Sequence, residues 1–126
     1  MTADIRKRIL VIDDDEEMLA LVQIALEEDG YLVSTANSGQ TAISSYSTIN
    51  PDLVLLDIRM PLLNGYEVLE KIREISNVPV IMLTGVQDAN SVAQSLNLGA
   101  DDYIRKPFSV QEFLAHVRAK LRRAAI

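Results

Sequence analysis

Three carboxylates, a hydroxyl and an ammonium stand at the ends of apolar runs in this chain. Asp13 and Asp14 follow ILVI, Asp57 follows LVLL, Thr84 follows VIML, and Lys106 follows YIR. Oxygen donors of this kind suit Mg²⁺, Mn²⁺ or Ca²⁺, and nothing beside them suits zinc or copper. Cysteine is absent and His116 is the single histidine, so thiolate and multi-histidine centres are excluded. Mg²⁺ typically takes one or two protein carboxylates and fills its shell with water and phosphate. A carboxylate can also attack phosphorus, and phosphoryl transfer mainly needs positioning and neutralised charge, which a metal and a lysine provide. Together the parts describe an aspartate that becomes phosphorylated. Mg²⁺ would bridge the acidic pair and the phosphoryl group, with Thr84 and Lys106 on the remaining phosphoryl oxygens.

Each of these residues has a plainer reading. Acids commonly open helices, where unpaired backbone N–H groups carry partial positive charge. Asp57 alone can be a turn residue, and Lys106 a solvated lysine or a mere counter-ion. Thr84 alone is a good β-former, and Tyr103 can be packing with an exposed hydroxyl. A charge at the end of LVLLD, opposite another acid-bearing strand, is nonetheless costly without a cation. Five acids in VIDDDEEM therefore divide: Asp13 and Asp14 bind, while Asp15, Glu16 and Glu17 begin a helix.

The elements that must position these groups follow from periodicity. Strands are expected over Arg8–Asp13, Tyr31–Ala36, Leu53–Asp57, Val78–Thr84 and Asp102–Lys106, because LVLLD and VIMLT are nearly continuous apolar runs, as in parallel strands covered on both faces. Helices are expected over Glu16–Asp29, Gly39–Ile49, Gly65–Ile75, Ala89–Leu98 and Val110–Arg123, with stripes such as Leu19, Val22, Leu26 and Leu114, Val117, Leu121. Gly30 and Gly99 suit helix C-termini, Ser38 suits an N-cap, and Asn64-Gly65 reads as turn chemistry. Five βα units imply an α/β domain, a doubly wound parallel sheet with right-handed crossovers. In such sheets ligands bind beyond the carboxyl ends of the strands, where strand order reverses. All five candidate residues lie there.

The chain as a whole sets limits. Its 126 residues are expected to form one domain over 1–126, with 48% apolar and 24% charged residues, ordinary globular values. A net charge of −6 argues against this domain gripping nucleic acid directly. No apolar run suggests a membrane span and no secretory pattern opens the chain; with no cysteine, a cytoplasmic setting is expected.

Four motifs in order, VIDDDEEM, LVLLDIRMPLLNGYEVLEKIR, VPVIMLTG and LGADDYIRKPFS, resemble the response-regulator receiver domain of two-component signalling over nearly the whole chain. That resemblance implies a flavodoxin-like fold with five helices and strand order 2-1-3-4-5. It implies phosphotransfer from a sensor histidine kinase or phosphotransfer protein to Asp57, with Asp14 as direct metal ligand and Asp13 acting mainly through water. The backbone carbonyl of Arg59 would complete the protein's share of the metal shell. Thr84 and Tyr103 match the switch pair of the family, and the Lys106-Pro107 bond is expected to be cis. The domain is expected to be either the N-terminal part of a longer regulator or a stand-alone shuttle.

The chain departs from the family in a few places. Gly85 stands where most receivers carry alanine, and Arg59 and Val86 occupy positions that tune phosphorylation and dephosphorylation rates. In receivers that form a homodimer through the last two helices, a basic residue and an arginine occur where Val92 and His116 stand here. The acidic partners Asp102 and Glu112 remain, so half of each ion pair is missing or weakened. His116 is otherwise expected to be a surface residue without catalytic duty, and the basic residues from Arg118 to Arg123 to form a solvated helix end. A haloacid-dehalogenase-type phosphatase is disfavoured because position 59 is not a second Asp, and a flavodoxin because acids replace its phosphate-cradling loop. A receiver fold serving only as an interaction platform usually lacks one of the acids or the lysine, all present here.

Overall fold

The computed structural model describes residues 5–85 and 97–124. The helix expected over Ala89–Leu98 falls almost wholly outside the described residues, as do Val86 and Val92. In chain order the elements are β1 (Arg8–Ile12), α1 (Glu16–Glu28), β2 (Leu32–Ala36), α2 (Gly39–Ile49), β3 (Leu53–Asp57), α3 (Gly65–Ile75), β4 (Val80–Thr84), β5 (Asp102–Arg105) and α4 (Val110–Ala124).

The strands form one sheet in the order β2-β1-β3-β4-β5 with every pairing parallel. The expected fold class and strand order are thus those observed. β3 and β4 are buried at every position, which is why their sequences run apolar without alternation. Alternation still decides which side each residue serves. Leu10, Ile12, Val54, Leu56, Val80 and Met82 pack with Tyr46, Val68, Leu69 and Ile72 of α2 and α3. Ile9, Val11, Leu53, Leu55, Ile81 and Leu83 pack with Leu19, Val22 and Leu26 of α1 and with Phe113, Val117 and Leu121 of α4.

Strand ends differ slightly from expectation. β4 starts at Val80 rather than Val78 because Pro79 has no N–H to donate, although its carbonyl accepts from Val54 N at 3.0 Å. Arg73 of α3 ties down the approach to β4, donating to the carbonyls of Val78 and Gly99 at 2.7 and 2.8 Å and to the Asp101 carboxylate at 2.9 Å. Asp101 in turn accepts from Val80 N at 2.8 Å. Arg118 proves to be more than a solvated helix end: it donates twice to Asp29, the C-cap of α1, at 2.9 and 2.6 Å. The last helix is thereby pinned to the first.

Candidate phosphoryl-acceptor site

β1, β3, β4 and β5 all point their carboxyl ends at the same sheet edge, so the short segments that follow them share one neighbourhood. The ladder persists a residue beyond β1 and β5, for Asp13 N donates to Ala36 O and Lys106 N to Thr84 O, at 3.1 and 2.6 Å. Alternation extended by these bonds gives Asp13, Asp57 and Lys106 the parity of Val11, Leu55 and Ile104, the side of the sheet covered by α1 and α4. The result is a cluster. Asp13, Asp14 and Asp57 each offer an oxygen within 4.8 Å of the others, and Lys106 Nζ lies 3.0 Å from Asp13 Oδ2 and 3.3 Å from Asp57 Oδ1.

The three acids are held differently. Asp13 is fully buried, and both its oxygens are engaged: Oδ2 by Lys106 and Oδ1 by the backbone N–H of Asp15 at 3.0 Å. Asp14 is exposed, and its carboxylate has no hydrogen-bond partner among the described residues. Asp15 turns away to cap α1, accepting from Glu17 N and Met18 N, while Glu16 and Glu17 occupy the first turn where the helix dipole favours acids. Asp15, Glu16 and Glu17 thus begin the helix, as expected.

Asp57 is buried at the tip of β3, and that burial, reinforced by the negative charge of Asp13, pushes its carboxyl up to about 6 despite the pull of Lys106. Burial by itself would pull the Lys106 ammonium down, but its hydrogen bond to Asp13 and the two negative charges outweigh that and raise it. Two acids facing one ammonium leave excess negative charge in a half-closed place, which suits an added cation. Oxygen-only donors fit Mg²⁺ rather than a softer metal. The Lys106-Pro107 bond is cis, as expected, and Phe108 after it stacks on buried Phe113 with ring centroids 5.2 Å apart.

The remaining candidates are not drawn into this cluster. Thr84 has the opposite parity to Leu83, is buried, and donates its hydroxyl to Gly85 O at 3.2 Å. Tyr103 lies on β5 with 38% of its surface exposed. Arg59 is exposed just beyond the acceptor strand.

Three features were missed in sequence. Asn64 is the N-cap of α3, forming a reciprocal pair with Glu67, a signature legible as N-G-Y-E. Gly65 is needed for closeness rather than for a turn: a Cβ there would strike the Asp57 carbonyl oxygen and stand 2.7 Å from Ile58 Cα. Because those obstacles are backbone, no rotamer change relieves them. Gly65→Ala should therefore cost about 1–3 kcal/mol in urea unfolding and slow acetyl phosphate labelling of the protein; unaltered stability would refute the packing account. Lastly, His116 is half-buried, with Nδ1 at 2.7 Å from Asp102 Oδ2.

Comparisons with known proteins agree with this geometry. A family model described as the response regulator receiver domain matches residues 9–118. The probable transcriptional regulator ycf27 of Guillardia theta is 43% identical over 118 residues, covering 94% of this chain and 46% of that protein. The DNA-binding response regulator MtrA of Mycobacterium leprae is 43% identical, with 94% and 52% covered. The chain thus spans about half the length of the curated relatives it matches. Among solved structures, a CheY-like response regulator receiver domain protein from Methanospirillum hungatei superposes with a TM-score of 0.89 at 33% identity, covering 95% of this chain and 97% of that one. A receiver domain protein from Clostridium thermocellum gives a TM-score of 0.88 at 32% identity over 93% and 95%.

Proposed function

This chain belongs to the response regulator receiver domains of two-component signalling, and from that premise we propose that Asp57 accepts a phosphoryl group from a phosphohistidine on a sensor histidine kinase or phosphotransfer protein. The observation that carries the proposal is the convergence of Asp13, Asp14 and Asp57, with the Lys106 ammonium joining Asp13 to Asp57. An Asp57 carboxylate oxygen attacks phosphorus, a P–O bond forms, and the P–N bond breaks with its electron pair returning to the imidazole. Bound Mg²⁺ would neutralise charge on the transferring phosphoryl group. Asp14 and Asp57 would hold it directly, and the Arg59 carbonyl would join them. Asp13 would act through water, which accords with the engagement of both its oxygens by Lys106 and Asp15. Lys106 restrains Asp57 before transfer and afterwards pairs with a phosphoryl oxygen.

The switch runs through Thr84 and Tyr103. Before phosphorylation the Thr84 hydroxyl is spent on Gly85 O and the Tyr103 ring is outward. The new phosphoryl oxygens offer that hydroxyl a charged acceptor, stronger than a carbonyl, and the ring then turns inward, biasing the surface around β5 and α4. A homodimer through the last two helices would have to release Asp102 from His116 of its own chain before it could pair across an interface. One longer relative is named a probable transcriptional regulator and another a DNA-binding response regulator, which supports an output on gene expression. No described helix is long and apolar enough to cross a membrane.

Acetyl phosphate with Mg²⁺ tests the proposal. Intact mass should show one added, base-labile phosphoryl group on the wild type, and none on Asp57→Asn or in the presence of EDTA. Equal labelling of the variant would move the acceptor elsewhere.

A further inference from the structure

The two edges of the sheet are finished differently. β2 and β5 are its outer strands, and each turns the N–H and C=O of alternate residues away from the sheet. On β5 those residues are Tyr103 and Arg105, since Lys106 N bonds inward to Thr84 O. Tyr103 N is already spent on the Asp102 carboxylate at 2.8 Å, and Arg105 is charged; charge on an edge is an ordinary guard against pairing with another chain. On β2, Leu32 N donates to Lys7 O and Ala36 O accepts from Asp13 N, so Leu32, Ser34 and Ala36 face β1 while Val33 and Thr35 face out. The outward N–H and C=O groups of these two have no partner among the described residues. LVSTA holds no charge, proline or bulge to guard them. β2 instead floors a trough of ≈ 470 Å³ between α1 and α2, bordered by Thr48, Ile49 and the oppositely charged Arg8 and Glu27.

Charge and symmetry decide what fits this edge. Between Asp29 and Asp52 no side chain is charged; the 12 basic and 18 acidic residues all lie elsewhere in a chain of net charge −6. That span contains β2 and the whole of α2, whose residues Gln40, Thr41, Ser44, Ser47 and Thr48 are exposed. Two copies of an acidic protein repel one another over most approaches, but on this face they bring no like charges together. A pair that closes on itself needs the same patch on both copies, related by a two-fold axis. Antiparallel β2 strands meet that condition about Ser34. Val33 of each copy then falls opposite Thr35 of the other, and every outward N–H and C=O named above is paired. The Ser34 side chains face each other across the axis. An axis perpendicular to the sheet keeps each face on its own side, so the uncharged α2 helices flank the joint together.

We propose that two copies of this chain join β2 to β2 in antiparallel fashion about Ser34, fusing their sheets into one. The dimer forms without phosphorylation, because every group it uses is already in place. Its joint lies at the sheet edge opposite β5, so it sets the oligomeric state separately from a switch that runs through Tyr103.

Sedimentation of the unphosphorylated chain over a concentration series tests this. The wild type should form a reversible dimer. Thr35→Pro deletes an outward N–H and no bond of the ladder, so it should weaken the dimer about tenfold or more while the melting temperature stays within about 4 °C of wild type. Ser34→Cys gives an independent reading, because the chain has no other cysteine. Opposed Cα atoms about 4.5 Å apart lie within disulfide reach, so mild oxidation should convert this variant to a covalent dimer and leave the exposed Asn77→Cys control monomeric. A wild type that stays monomeric up to about 1 mM overturns the inference, and an extended segment of another protein then becomes the occupant to seek. A dimer that Thr35→Pro leaves intact overturns it too, as does equal cross-linking of the two cysteine variants. Should Thr35→Pro melt early, the cysteine comparison decides alone.

Discussion

Asp57→Asn should make the metal-free protein more stable at pH 7.5, by up to about 3 kcal/mol, while abolishing phosphorylation. The Asp57 carboxyl titrates at about 6 in the folded protein against 3.8 as an ordinary Asp. An acid with a raised folded value is a burden when ionised. Above about pH 6 the fold must hold a buried carboxylate beside Asp13, whereas the unfolded chain hydrates it freely. As pH falls from about 6 towards 4, the folded state takes up a proton before the unfolded state does, so the wild type gains stability over that window. The advantage of the variant should therefore be largest above pH 6 and fade below pH 4. Asparagine keeps an acceptor for Lys106 and can donate towards Asp13, so the substitution removes charge without leaving a buried hole. Saturating Mg²⁺ should narrow the gap from the other side, stabilising the wild type by mass action far more than the variant. Thermal denaturation across pH, with and without metal, reads all of these outcomes. A variant no more stable than the wild type at pH 7.5 without metal would overturn this view of the site as electrostatically overloaded.

Lys106→Ala should act in the opposite direction, costing about 2–3 kcal/mol in the absence of metal. The lysine side chain is 25% exposed, but the Asp13 carboxylate it serves is 1% exposed, and removing one partner of such a pair strands the other. The sign with pH is that of a base whose folded value is raised above 10.5. Its contribution is fully present below about pH 10 and is lost as pH rises through the folded value, so the wild type should lose stability in alkali and the variant should show a smaller loss there. Combining Lys106→Ala with Asp57→Asn should recover a large part of the deficit, because the remaining lone acid no longer faces a second charge. Strict additivity in urea unfolding would mean that the three groups are not coupled. In signalling terms, Lys106→Ala should still bind Mg²⁺ but fail to convert phosphorylation into an altered surface near Tyr103; an unchanged output in that variant would exclude a coupling role.

How far could the residues alone have led? LVLLD and VIMLT specify buried parallel strands because every position must be apolar when both sheet faces are covered, and the helices betray themselves by the spacing of Leu19, Val22 and Leu26. The strand-tip acids and Lys106 are legible because an open parallel sheet gathers the carboxyl ends of its strands at one edge whatever the loops do. Local chemistry also sorted Asp15 from Asp13 and Asp14, since a helix start needs one capping oxygen and no more.

Distances, and the choices that depend on them, came only with the fold. Asp13 and Asp57 are 44 positions apart in the chain, and Lys106 is 49 beyond Asp57; only strand order and register bring one ammonium within reach of both acids. The same alternation leaves Thr84 with the parity opposite to Leu83, its hydroxyl on Gly85, a fact that residue type does not disclose. Gly65, His116 and Arg118 read as turn, bystander and solvated surface, because a close approach to Asp57 or a pairing with Asp102 or Asp29 is a property of two distant segments at once. Side-chain chemistry and periodicity are written residue by residue. Proximity between remote segments is decided by how helices and strands pack, and it is that packing which turns scattered acids into a single site.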